Sequence, residues 1–302
     1  MINIVGRKKI WFALSGVLIG LAVLAIAFYG FRQSAEFLGG SLWEFKMPTN
    51  QPSLTDVQNF FASDLKADGA AITLDATNQS FLARFNIIDE ATHERFLSEA
   101  KSVWPSFTEL SFSSIGPSVG AGLKKNAMIA IGLVLVGISL YIAFAFRKAS
   151  RPVSSWKYGW VTLLTLFHDV LIPAGLLAIL GHLKGIEIDT NFIVALLVVM
   201  GFSVHDTIVV FDRIRENLVT HRGKSSFATV VNDSVNQTIA RSINTSLTLI
   251  LVLIALYLVG PADLQYFVLT LLVGVTTGIY SSIFIASPAL VLLGPKNEPS
   301  RA

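Results

Sequence analysis

The chain contains six long apolar stretches, and this pattern constrains its fold more than any other feature. A helix needs about 20 consecutive apolar residues to cross the hydrocarbon core of a bilayer. The composition agrees, since 53% of the residues are hydrophobic, 14% are charged and the mean hydropathy is +0.63. We therefore predict a membrane protein with an all-α bundle of six transmembrane helices, at residues 10–31, 127–146, 158–181, 191–211, 243–259 and 265–293.

Basic residues flank these stretches unevenly, and their distribution predicts the topology. Arg7, Lys8 and Lys9 precede the first span, so the positive-inside rule places the N-terminus in the cytoplasm. Five further crossings place the basic segments 147–157 and 212–241 and the C-terminal tail on the same side. The first span is too long for the core of a signal peptide, and no typical cleavage site follows it. We therefore expect this span to be retained.

The segment between the first two spans, residues 32–123, is polar enough to form a separate domain. Ser53 and Asp56 form a capping-box pattern that opens a helix. His93 lies alone on a second predicted helix and is interpreted as solvated. The predicted order is β-α-β-β-α-β, the ferredoxin-like motif, with elements at 41–47, 54–65, 71–74, 81–86, 90–104 and 109–113.

These features divide the chain into four parts. Residues 1–31 hold the cytoplasmic N-terminus and the first span, and residues 32–123 form an extracytoplasmic α+β domain. Residues 124–294 hold the second to sixth spans, and residues 295–302 form a cytoplasmic tail.

An acidic residue lies inside the fourth span, where Asp206 belongs to the run Gly201-Phe-Ser-Val-His-Asp-Thr-Ile-Val-Val-Phe-Asp-Arg-Ile-Arg-Glu-Asn217. An ionised carboxylate near the bilayer centre costs roughly 2.5–3.5 kcal/mol on insertion scales. A chain that keeps one there is expected to use it in an ion pair or in moving protons. The alternative is a structural polar contact between helices.

Two helix faces carry further polar residues near this acid. On the fourth span, Ser203, Asp206 and Thr207 share a face. On the fifth span, a second stripe at helical spacing starts with a guanidinium, and membrane helices bury such stripes against one another. This stripe comprises Arg241, Asn244, Thr245 and Thr248.

The third span carries a second acid, Asp169, next to His168. Asp169 is either a second relay acid or a structural partner, and the sequence leaves both open. Small residues recur at four-residue intervals on the first and sixth spans, which permits close packing within the bundle or with a partner. They are Gly16, Gly20, Gly274, Gly278 and Ser282.

Several function classes are disfavoured by the sequence. The chain has no cysteine, so it has neither a thiolate metal site nor a cysteine nucleophile. It also has no phosphate-binding glycine loop, dinucleotide fingerprint or zinc motif. We expect no enzyme activity, no cofactor, no metal and no nucleic-acid partner.

Several motifs, in the right order, resemble the SecF type of the SecD/SecF protein-export family, which belongs to the resistance-nodulation-division superfamily. The segment 201–217 resembles the family's fourth-span signature, and Phe167-His-Asp-Val-Leu-Ile172 resembles its third span. Further similar segments are Phe37-Leu-Gly-Gly40, Ser113-Ser-Ile-Gly-Pro-Ser-Val-Gly120, Arg241-Ser-Ile-Asn-Thr-Ser246 and Tyr280-Ser-Ser-Ile-Phe-Ile-Ala-Ser-Pro288.

This resemblance implies a six-span unit in the bacterial cytoplasmic membrane that pairs with SecD and contacts membrane lipid. It further implies the Sec translocon channel and the translocating preprotein as partners, and use of the proton motive force in late translocation. Asp206 is then the proton-carrying acid and Arg241 its basic partner. Two residues depart from the family pattern, because Glu36 and His205 stand where aspartate and asparagine are usual. His205 either joins a proton relay or hydrogen-bonds as a neutral side chain.

Two other functions compete with this one. The first is half of a proton-driven exporter of small molecules or lipids from the same superfamily. The small size of the domain at residues 32–123 argues against it, because such a domain has little room for a substrate pocket. The second is a passive scaffold without energy coupling.

Overall fold

The protein is described here by a computed structural model that covers residues 2–47, 49, 52–67, 69–75, 79–147, 153–221, 225–261 and 264–294. The chain divides into two units, one comprising Met1–Arg32 with Ile129–Ala302 and the other Gln33–Met128. In chain order the elements are α1 (Lys8–Tyr29), α2 (Ala35–Leu38), β1 (Gly40–Lys46), α3 (Leu54–Ser63), β2 (Ala71–Asp75), β3 (Ser80–Phe85), α4 (Glu90–Val103), β4 (Thr108–Ile115), α5 (Pro117–Ala145), α6 (Ser155–Lys184), α7 (Thr190–His221), α8 (Phe227–Val259), α9 (Gln265–Ser281), a π-helical segment (Ser282–Ala286) and α10 (Ser287–Leu293).

The prediction of six membrane spans is confirmed. Within the described residues, six helices are long and apolar enough to cross a bilayer. They correspond to α1, α5, α6, α7, α8 and the run from α9 through α10. The fifth span differs from the expectation at its start. The sequence predicted that this span starts at residue 243, but α8 runs without a break from Phe227 to Val259.

The ferredoxin-like prediction for the smaller unit is also confirmed. Its sheet has the strand order β2-β3-β1-β4, and every neighbouring pair is antiparallel. Alternate residues of β1 are buried because successive side chains of a strand point to opposite faces. Trp43 and Phe45 of this strand are fully buried and pack with Phe61 and Phe107 in an aromatic core.

The two long helices of this unit start at side-chain caps. At α3, the predicted capping box is present, since the Asp56 N–H donates to Ser53 Oγ and the Ser53 N–H donates to Asp56 Oδ2, both at 3.1 Å. At α4, Asp89 accepts a hydrogen bond from the Thr92 N–H at 3.0 Å. Hydrogen bonds from Thr92 hold the pKa of the Asp89 carboxyl below its usual value.

The prediction that His93 is solvated is wrong. Only 5% of the residue is exposed, because His93 lies on the same face of α4 as the buried Phe96 and Ala100. Its Nε2 lies 2.7 Å from Glu109 Oε2, and its ring stacks on Phe112 at 3.7 Å between centroids. The histidine is therefore part of the contact between α4 and the sheet.

Helices α7 and α9 approach each other closely at two glycines. A Cβ added to Gly274 would lie 2.2 Å from Val199 Cγ2, and one added to Gly278 would lie 3.1 Å from Ser203 Cβ. The small residues of the sixth span therefore serve packing within the bundle, where the expectation had left a partner contact open. By contrast, a Cβ on Gly16 or Gly20 would meet nothing within 4 Å.

We expect Gly274→Ala to destabilise the bundle by about 1–3 kcal/mol, since the new methyl group overlaps the Val199 side chain. Val199→Ala should restore most of that loss when combined with it, because it removes the overlapping atoms. The measurement is thermal unfolding of the purified protein in detergent, with Gly20→Ala as the control. Equal effects of the two glycine substitutions would contradict the close packing of α7 on α9.

Candidate functional site

A layer of buried polar side chains crosses the helical bundle where α6, α7, α8 and α9 meet. Its two acids, Asp169 and Asp206, are 0% and 3% exposed. Apolar clusters lie around this layer, one of them built from Ala195, Val199, Leu253, Val268, Leu271 and Val275. Unpartnered polar groups in such surroundings cost several kcal/mol each. The other members of the layer are His168 and hydroxyl side chains, namely Ser203, Thr207, Ser242, Ser246, Ser281 and Ser282.

Asp206 lies on α7 and faces α8. Within the described residues, its carboxylate accepts one hydrogen bond, from Ser246 Oγ to Oδ2 at 3.2 Å. The Ser242 hydroxyl, one turn before Ser246, lies near the same carboxylate but outside hydrogen-bonding geometry, and its buried oxygen has no hydrogen-bond partner in the described part of the chain. Asp206 is thus a buried acid with few hydrogen-bond donors around it.

The polar stripe predicted on the fifth span does not contact Asp206. Arg241, Asn244, Thr245 and Thr248 are all exposed on the surface of the single chain. The described part of the chain contains no ion pair between Arg241 and Asp206. The buried face of α8 is the neighbouring row of residues at four-residue intervals, formed by Ser234, Thr238, Ser242 and Ser246.

Asp169 has a fuller set of hydrogen bonds than Asp206. Its Oδ1 lies 2.8 Å from His168 Nδ1. Its Oδ2 accepts hydrogen bonds from Ser203 on α7 and from Ser281 on α9, the latter at 2.7 Å. Pro173 interrupts the hydrogen-bond ladder of α6 here, because proline has no N–H to donate to the main-chain carbonyl of Asp169.

A chain of hydrogen bonds continues from His168 to the first span. His168 Nε2 lies 3.1 Å from Ser15 Oγ, and Ser15 Oγ donates to the Tyr280 hydroxyl at 3.3 Å. The Tyr280 hydroxyl in turn donates to the main-chain carbonyl of Trp11 at 3.0 Å. The network around Asp169 therefore joins α1, α6, α7 and α9.

The remaining predicted residues of the fourth span are divided between the two faces of α7. Thr207 lies inside the bundle, where Oγ1 is 2.8 Å from Ser282 Oγ and donates to the Ser203 carbonyl at 3.2 Å. Ser282 begins the π-helical segment, and π segments occur frequently at functional sites. His205 is exposed on the opposite face. Of the predicted residues, the structure therefore gathers Asp169, Ser203, Asp206 and Thr207.

Sequence reasoning missed three hydroxyl partners of the acids and of His168, namely Ser15, Ser246 and Ser281, and it also missed Tyr280, which hydrogen-bonds to Ser15. Single serines in apolar helices are common helix-packing residues and give little signal alone. The four-residue spacing of Ser242 and Ser246 was a usable signal. It competed with the adjacent stripe headed by Arg241, which has the same helical periodicity.

Comparison with known proteins agrees with this architecture. The family model described as protein export membrane protein SecD/SecF, C-terminal, matches residues 96–296. Protein translocase subunit SecF of Thermobaculum terrenum is 40% identical over 96% of this chain and 93% of that protein. The SecF subunit of Anaerolinea thermophila is 37% identical over 97% of this chain and 94% of that protein.

A solved structure shows the same fold. The crystal structure of SecDF, a translocon-associated membrane protein from Thermus thermophilus, has a TM-score of 0.82 and 32% sequence identity to this chain. The match covers 96% of this chain and 38% of the SecDF chain, so the present chain corresponds to about two fifths of that protein.

Six membrane spans with a ferredoxin-like unit between the first two define a multi-pass membrane protein of the protein-export class. The chain belongs to the SecD/SecF family, and the relatives that match almost its full length are SecF translocase subunits. It is therefore a protein-transport subunit of the cytoplasmic membrane.

The orientation of α8 can be tested by thiol labelling, because the natural chain has no cysteine. We expect Asn244→Cys to react rapidly with a small membrane-permeable maleimide in the isolated chain, since Asn244 is exposed. Ser242→Cys should react much more slowly, since Ser242 is 1% exposed. The labelling rates in detergent, compared with those in denaturant, measure this difference. Equal labelling rates in the folded protein would contradict the assignment of Asn244 to the exposed face of α8 and of Ser242 to its buried face.

Proposed function

We propose that this chain is a subunit of a SecD–SecF complex that uses the proton motive force to assist late steps of Sec-dependent protein translocation. Proton coupling requires an acid that is buried in the membrane and can still change its protonation state. Asp206 carries the proposal, because its buried carboxylate has a single serine donor among the described residues. An acid with few fixed donors can lose its charge without breaking an extended network.

The exposed stripe on α8 supports pairing with SecD. Arg241, Asn244, Thr245 and Thr248 would face hydrocarbon in a solitary six-span unit, which is costly for polar groups without partners. A second bundle against this face would cover them and bring its own groups toward Asp206. In this arrangement Arg241 acts as the basic partner of Asp206 within the assembled complex. The SecDF chain is much longer than its segment that matches this chain, and this difference in length fits such pairing.

The remaining predicted residues have supporting roles in this proposal. Ser203 and Thr207 fix the inner face of α7, and Thr207 bonds to the π-helical segment at Ser282. His205 lies on the exposed face and is available to the partner subunit or to lipid.

The proposed topology places both termini in the cytoplasm and the ferredoxin-like unit outside. It rests on the basic residues before the first span, Arg7, Lys8 and Lys9, and on those at the end of the fourth, Arg213 and Arg215. In this orientation the ferredoxin-like unit faces the emerging preprotein, and the membrane spans contact lipid and the translocon channel.

Asp206→Asn tests the coupling role, because it keeps the size and hydrogen bonding of the side chain but removes the titratable charge. We expect normal membrane insertion and complex formation, with export reduced to the level of cells that lack this chain. The measurement is proton-dependent secretion of a reporter in cells that depend on the chain. The control is Asp212→Asn on the same helix, since Asp212 forms a half-exposed ion pair with Arg215 at 2.6 Å.

Two outcomes would refute the coupling role of Asp206. One is full stimulation of export by the Asp206→Asn variant. The other is an equal loss of export in Asp206→Asn and Asp212→Asn, which would point to a general effect of charge on α7. A passive scaffold would give the first outcome.

Cysteine crosslinking tests the pairing with SecD. Single cysteines at Arg241, Asn244 and Thr248 should crosslink to cysteines on co-expressed SecD, because these positions are exposed in the single chain. Cysteines at the buried positions Ser246 and Leu253 on the same helix should not crosslink and serve as matched controls. Crosslinking at both sets, or at neither in the presence of SecD, would contradict the proposed interface.

A further inference from the structure

The buried pair His168–Asp169 has a hydrogen-bond arrangement that differs in kind from that of Asp206. We propose that this pair binds one proton and keeps it trapped inside the bundle as an imidazolium–carboxylate pair. The hydrogen-bond network around this proton joins α1, α6, α7 and α9, and the proton is not exchanged with the surroundings. This inference rests on the geometry of the network alone and does not require the proposed coupling function.

The donor and acceptor of each hydrogen bond can be assigned in turn, beginning at the main-chain carbonyl of Trp11, which can only accept. The Tyr280 hydroxyl donates its one proton there at 3.0 Å, so Tyr280 accepts from Ser15 at 3.3 Å. Ser15 has then used its own proton and must accept from His168 Nε2 at 3.1 Å. The far end of the network therefore requires a proton on Nε2 of His168.

The other end of the network requires a second proton on the imidazole ring or one on the acid. Nδ1 of His168 and Oδ1 of Asp169 are 2.8 Å apart, so one proton must lie between them. Asp169 Oδ2 accepts from Ser203 and Ser281, and both hydroxyls stabilise negative charge on the carboxylate. Both serine donors favour the carboxylate over a neutral acid that would donate from Oδ1 to Nδ1, so we assign the shared proton to Nδ1 and describe His168 as an imidazolium.

Charge balance prevents this site from gaining or losing a proton. His168 and Asp169 are 2% and 0% exposed, and as a protonated pair they carry no net charge. Removing the proton would leave a net negative charge and place the Nδ1 lone pair against the carboxylate. Adding a proton would leave a net positive charge. Either unpaired charge is expensive inside the membrane.

Within the described residues, the helices packed against this network also provide no hydrogen-bonded path by which its proton could leave. Asp206 on α7 bonds to Ser246 on α8, and within the described residues no hydrogen bond joins its carboxylate to the network. The other titratable and charged groups whose side chains are described on these helices lie near helix ends or on an exposed face: Lys8, Lys9 and Tyr29 on α1, Lys157, Tyr158, His182 and Lys184 on α6, His205, Asp212, Arg213, Arg215 and Glu216 on α7, and Tyr266 on α9. Tyr158 is buried and lies in the first turn of α6.

Asp169→Asn distinguishes a trapped proton from a relay. The amide NH₂ can donate to Nδ1 of a neutral His168, and the amide oxygen can accept from Ser203 and Ser281. The variant therefore preserves every hydrogen bond without a titratable acid. We expect export within about twofold of the parent protein and an unchanged unfolding temperature, whereas Asp169→Ala should unfold at a lower temperature because it breaks the network. Loss of export or of folding in Asp169→Asn would overturn the proposal.

A measurement on the unmodified protein gives a second, independent test. Solid-state NMR of the ¹⁵N-histidine-labelled protein in bilayers reports the protonation of each of its five histidines. Single substitutions of the other four histidines assign the His168 signals without altering the site. We expect both ring nitrogens of His168 to carry a proton in the folded protein. A neutral His168 ring would overturn the proposal even if Asp206→Asn abolishes export.

Discussion

A bilayer interior offers no water to its polar groups, so each polar group in this bundle depends on a neighbouring helix for a partner. The polar layer meets this requirement by gathering acids and hydroxyls from four helices into one region between apolar clusters. Close contact between α7 and α9 at Gly274 and Gly278 makes this possible, because it brings Ser203 and Ser281 within reach of Asp169. Packing and hydrogen bonding are therefore inseparable here.

The two acids satisfy the same requirement to different degrees. Asp169 accepts from an imidazole and two serines, whereas Asp206 accepts from Ser246 only, among the described residues. A saturated carboxylate is held in one protonation state by its partners, whereas a poorly supplied one responds to changes in its surroundings. The hydrogen-bond environment thus distinguishes the structural role that we infer for Asp169 from the coupling role that we propose for Asp206.

The sequence predicted the elements well because their signals are local. Span length, strand alternation and the Ser53–Asp56 capping box each depend on residues close together in the chain. The orientation of α8 could not be predicted, because two polar rows lie on adjacent faces and helical periodicity does not say which one turns inward. The prediction for His93 was wrong because it considered this residue alone. Its face, shared with Phe96 and Ala100, carried the correct signal. The hydrogen bond from Ser15 to Tyr280 joins the first and last spans and has no local signal.

The connection between the first and last spans has a consequence for biogenesis. Spans enter the membrane in order from the ribosome, so α1 and α6 are in place before α9 is made. Until then, Ser15 lacks Tyr280, and Asp169 lacks Ser281. The nascent bundle must hold a partly satisfied His168–Asp169 pair while the chain is completed. Arrival of the sixth span then closes the network, so the last helix to be synthesised completes the polar interior of the protein.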